Sequence, residues 1–150
     1  MKSLPELILE LRAVDQNGPS YAMAFESILV EIIAIRSPDV ILPLLAFFDD
    51  RAPYDEVMFS IIHGIEAFED KAYVQQMLLG ANNFCAMSPR WASIVFMRML
   101  NSEPTRRELI RQVRDVDPGT KAAIKKLMDK INARGHQFIP KTTAVIVAAS

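Results

Sequence analysis

Residues 28–45 read Ile28-Leu29-Val30-Glu31-Ile32-Ile33-Ala34-Ile35-Arg36-Ser37-Pro38-Asp39-Val40-Ile41-Leu42-Pro43-Leu44-Leu45. Moved forward by 33 positions, the apolar members of this stretch fall on apolar residues again. Ile28 lands on Ile61, Leu29 on Ile62, Ile32 on Ile65 and Ile35 on Phe68; Val40 lands on Tyr73, Ile41 on Val74, Leu44 on Met77 and Leu45 on Leu78. A further 34 positions place Ile61 on Val95, Ile62 on Phe96 and Ile65 on Met99. Each unit is an apolar helix, a short corner (36–38, 68–70 or 101–104) and a second helix. One such hairpin cannot bury its own apolar face, whereas stacked hairpins bury a continuous core. The recurrence predicts antiparallel hairpins stacked in a HEAT-like array, or a right-angled bundle whose helices share a length. Stacked hairpins offer another macromolecule a broad surface rather than a closed pocket.

Spacings of three and four between apolar residues extend along most of the chain and predict an all-α fold of about eight helices. They fall at 4–14, 21–35, 38–48, 55–68, 71–80, 89–101, 105–116 and 119–133. Ser37-Pro38, Ser88-Pro89 and Asp117-Pro118 each set a capping oxygen before a proline at the first helical position. Thr105-Arg106-Arg107-Glu108 has capping-box spacing, and Asn17-Gly18-Pro19 marks a turn. Thr143-Ala144-Val145-Ile146-Val147 is the one candidate strand, within a 142–150 tail expected to be flexible or loosely docked.

A chain of 150 residues fits one domain, 1–150, with a core that needs no staples. The composition, 51% hydrophobic and 23% charged with net charge −1, excludes a disordered or polybasic chain. A lone cysteine, Cys85, excludes an intramolecular disulfide, and two histidines leave little room for zinc. With no signal sequence and no spanning segment, the expectation is a cytoplasmic protein without membrane contact, cofactor or metal.

The near-zero net charge conceals polarity. Residues 1–70 hold 13 acidic and 4 basic side chains, giving −9; residues 71–150 hold 5 and 13, giving +8. Either opposite charges pair across the fold, or the two halves create a field that steers a partner.

Catalytic arrangements are thin. His63 and Glu66 share a helix face and could form an acid/base pair, although a structural histidine bonded to Glu66 is the expected role. Cys85 lacks the electropositive surroundings of a reactive thiolate. No nucleophile elbow, phosphate loop or zinc-protease motif is present. The eight methionines, at helical spacing, read as core filler.

The acidic run is the stronger lead. Asp49, Asp50, Asp55, Glu56, Glu66, Glu69 and Asp70 face a single Arg51 between 49 and 70. Acids at the end of helix 55–68 oppose its macrodipole, which calls for another reason, such as a basic partner. Tyr54 and Tyr73 flank them as candidate anchors. A competing lead is basic: Arg106, Arg107, Arg111 and Arg114 form one helical stripe, and Lys121, Lys125, Lys126 and Lys130 another. These could neutralise phosphates, as in a helical-repeat nucleic-acid binder, or pair with the acidic half.

Asp49-Asp50, Tyr54-Asp55-Glu56-Val57-Met58-Phe59-Ser60-Ile61-Ile62-His63-Gly64-Ile65-Glu66, Ser88-Pro89-Arg90-Trp91-Ala92 and Phe96-Met97-Arg98-Met99-Leu100-Asn101-Ser102 resemble the all-helical immunity proteins of bacterial polymorphic-toxin and contact-dependent growth inhibition systems. The likeness covers roughly residues 20–135. It implies a small non-enzymatic cytoplasmic inhibitor that binds a cognate toxin C-terminal domain in a 1:1 heterocomplex. Such toxins are often nucleases, including EndoU-type and ribonuclease-A-like RNases. On this reading the acidic residues and both tyrosines fill a basic cleft, and direct nucleic-acid binding is not expected.

Overall fold

The computed structural model describes residues 1–150. It contains ten α-helices and no strand: α1 (Leu4–Arg12), α2 (Tyr21–Ile33), α3 (Ile41–Leu45), α4 (Asp55–Ile65), α5 (Asp70–Leu79), α6 (Ala81–Met87), α7 (Pro89–Asn101), α8 (Glu103–Val113), α9 (Pro118–Asn132) and α10 (Ile139–Ala148). Short 3-10 turns occupy Pro38–Val40 and His136–Phe138. No helix is long and apolar enough to cross a membrane.

The register of the stack reproduces the sequence period. α2, α4 and α7 run side by side and parallel. Tyr21 packs on Tyr54 with ring centroids 6.4 Å apart, Ser60 donates to Glu26 at 2.7 Å, and Gly64 lets Ile33 approach the α4 backbone. One step along, Arg90 meets Asp55 at 3.2 Å, Trp91 meets Phe59 edge-on at 5.4 Å, and Arg98 meets Glu66 at 2.8 Å. A second layer runs α3, α5, α8, α10, each packed on the next. α1 covers α2 at one end, and α6 and α9 close on α7. A core of 37 buried residues, from Leu7 to Ala149, lies between the layers.

Two helices exceed the sequence expectation. α6 is short, with only Ala81 and Phe84 buried, too few to show a period. α10 replaces both the loose tail and the candidate strand. Its β-branched residues favour extended chain in isolation. Here Val145 and Ala148 are buried against α8 and α9, the Thr142 hydroxyl donates to Asn132 Oδ1 at 2.7 Å, and the Thr143 hydroxyl donates back to the Ile139 carbonyl at 2.6 Å. Tertiary burial outweighs local preference.

Ser37 and Asp117 cap as expected. Ser88 does not: its hydroxyl donates to the Phe48 carbonyl at 2.7 Å. The α7 N-terminus is capped from another unit, with Asp50 accepting from Arg90 N–H at 2.9 Å and Trp91 N–H at 3.2 Å. Thr105 opens no capping box either, since α8 begins at Glu103 and the buried Thr105 hydroxyl turns to Asp70. Asp50→Ala leaves two amides without an acceptor and is expected to lower stability by about 1–2 kcal/mol, seen as a lower urea midpoint at unchanged slope.

Candidate functional site

The acidic run divides by what each side chain already holds. Asp49 accepts from the Arg51 amide at 2.9 Å, and its carbonyl accepts from the Trp91 indole at 3.1 Å. Asp50 caps α7. Asp55 pairs with Arg90. Both Glu66 oxygens are taken by Arg98 at 2.8 Å, a bond that raises the guanidinium further above its ordinary range. Asp70 accepts the Thr105 hydroxyl. Glu56 and Glu69 are exposed, and their carboxylates make no hydrogen bond or ion pair within the chain.

The macrodipole argument needs correction here. α4 ends at Ile65 rather than 68, so Glu69 and Asp70 occupy the N-cap and first position of α5, where negative charge is favourable. Only Glu66 stands at a helix C-terminus, and Arg98 answers it from inside the chain.

The two tyrosines part company. Tyr54 is half-exposed beside Tyr21. Tyr73 is only 3% exposed, so it does not present itself as an anchor. Its hydroxyl has no partner, and burial, then the charge of Glu66, pushes the phenol well above its ordinary value.

The chemical candidates are not assembled. His63 is exposed and makes no bond to Glu66, whose oxygens face α7; this overturns the expected structural pair. Burial pushes the Cys85 thiol up, while Lys130 acts weakly in the other direction. No group of His, Cys, Asp and Glu could hold a metal ion.

The basic stripe on α8 is largely answered by its own helix. Arg107 pairs with Glu103, and Arg111 pairs with Glu108 at 2.8 Å. That pairing holds the Glu108 carboxyl below its usual value. Arg106 donates to the Leu100 carbonyl at 2.6 Å. Arg114 and the α9 lysines Lys121, Lys125, Lys126 and Lys130 enter no ion pair.

Of the five ion pairs, only Arg90–Asp55 and Arg98–Glu66 join residues 1–70 to residues 71–150. Ion pairs between the two halves are thus confined to α7 against α4 and its C-cap.

The layer containing α2, α4 and α7 also presents an outer face that sequence reasoning missed. Met23, Ser27 and Val30 line it on α2, with Ala34 at the C-cap; Glu56, Ser60 and His63 continue it on α4, with Ala67 just past its end. Met23 is 75% exposed, not core filler, and Val30 is 67% exposed. The available signal was a helix with apolar residues on every side, which a fully exposed face does not require.

A family model described as Immunity protein 30 matches residues 16–109, more than half of the chain, from ahead of α2 into α8. No curated protein and no solved structure matches.

Proposed function

The chain belongs to the Immunity protein 30 family, and from that membership we propose that it neutralises a cognate nuclease toxin domain by covering a basic cleft with its acidic end. Neutralising a toxin is what an immunity protein does. The observation that carries the nuclease target and the acidic surface is the charge separation along the chain: −9 against +8, with two ion pairs between the halves.

An RNA- or DNA-cleaving domain needs cations to hold phosphate, and a prearranged field of opposite sign competes for that site. The complex is 1:1 and forms in the cytoplasm of the producing cell. Glu56, Glu69 and Asp55 supply the field from the outer side of α4 and the α4–α5 corner, and Tyr54 adds aromatic contact area. Complementary charge acts mainly on the rate of encounter and on specificity, while desolvated contacts set the lifetime.

Coexpression with a cognate toxin domain, sought first among the genes beside this one, tests the reading: cells carrying both grow, and cells carrying the toxin alone do not. Raising salt from about 0.05 to 0.5 M is expected to slow association roughly tenfold or more while leaving dissociation nearly unchanged, measured by stopped flow. A second reading, nucleic-acid binding, draws on the unpaired lysines of α9; its mark would be RNA retention lost on replacing Lys126 and Lys130.

A further inference from the structure

Resting on the neutralisation reading, we infer that the outer stripe of α2 is the apolar centre of the toxin interface, and that it receives an apolar side chain flanked by lysine or arginine. Met23, Ser27, Val30 and Ala34 recur at four, three and four residues, so they form one narrow line on the helix. No charge interrupts that line. A solvated helix ordinarily turns its charged residues outward; α2 instead places its two acids on either flank. Glu26, which accepts from Ser60, lies on the α4 side. Glu31 lies on the other, beside a Lys2 that is already paired to Glu10 at 2.7 Å and surrounded by Glu6 as well.

The stripe ends in a hollow of about 550 Å³ between α2 and the α4–α5 corner, where Val30, Ala34, Ala67 and Phe68 form the floor. Glu69, without a partner in the chain, lines it too. Arg36, which adopts a left-handed backbone with φ of 59°, lines the hollow as well. An apolar floor with charged residues, Glu69 and Arg36, around it matches the usual anatomy of an interface hot spot, an anchor pocket ringed by polar contacts. The exposed Glu31 and Glu69, neither of them in an ion pair, favour a cationic partner over a neutral one and disfavour a second copy of this face.

Two substitutions at one exposed position separate the contributions. Val30→Lys and Val30→Glu both remove the apolar contact, and at 67% exposure neither disturbs the core; circular dichroism checks the fold. The probe is the cognate toxin domain with its catalytic residues inactivated, titrated against wild type and both variants by calorimetry. The expected result is a loss of roughly 100-fold for Val30→Lys and about tenfold for Val30→Glu, because the glutamate retains attraction to the cationic flank. Wild-type affinity in both variants would overturn the inference and leave neutralisation standing. Equal losses would overturn the cationic character of the occupant. A wild-type dimer dispersed by Val30→Lys would assign the stripe to a second copy and overturn it too. Failure of the wild type to bind would instead overturn the neutralisation reading itself.

Discussion

Trp91→Ala is expected to remove about 3–5 kcal/mol of stability, the upper range for a buried aromatic. The indole is fully buried, packed between Phe48 at 6.0 Å and Phe59 at 5.4 Å. Its N–H satisfies the Asp49 carbonyl, and the Arg90 guanidinium lies 4.8 Å above the ring. It is therefore the side chain that ties the acidic corner before α4 to α7 of the next unit. Against a total of about 5–15 kcal/mol for a domain, such a loss leaves a substantial unfolded fraction. Trp91→Phe keeps most of the buried area but orphans the carbonyl, so its effect is smaller, about 1–3 kcal/mol. Urea unfolding orders the three proteins; an alanine variant as stable as wild type would mean that the seam contributes nothing to the stack.

The largest functional effect is expected from Glu56→Lys combined with Glu69→Lys. Both carboxylates are exposed and unpaired, so reversal changes the field of the acidic end without breaking a contact. Stability should move by only about 0.5 kcal/mol per site, whereas association with the toxin domain should slow by 10-fold to 1,000-fold at low salt. Protection in coexpression fails accordingly. Asp50, Glu66 and Asp70 are poor sites for the same test, because reversing them breaks the α7 cap, the Arg98 pair and the Thr105 bond. A glutamine pair at 56 and 69 should fall between wild type and the lysine pair. Unchanged association in the lysine pair would remove the acidic surface from the mechanism.

The stack was legible because parallel neighbours share a register: the 33-residue shift that aligns Leu29 with Ile62 also sets α2 beside α4, Tyr21 against Tyr54. What periodicity does not give is absolute phase when every side of a helix is apolar, and so Met23, with the other methionines, read as core filler. Nor does it locate partners in the next unit. Asp55 and Glu66 looked unpaired because Arg90 and Arg98 lie a whole unit further along the chain. A three-residue error at the end of α4 was enough to reverse the sign of the dipole argument for Glu69. Tyr73 failed as an anchor for a related reason: its position in the repeat, equivalent to Val40, is a core position.

Hydrogen exchange on this protein, free and bound to the inactivated toxin domain, tests the central claim most directly. The account expects binding to slow exchange in α2, α4 and the corner leading to α5, with α9 and α10 unaffected. Slowing confined to α8, α9 and α10, with α2 and α4 exchanging as in the free protein, would contradict it.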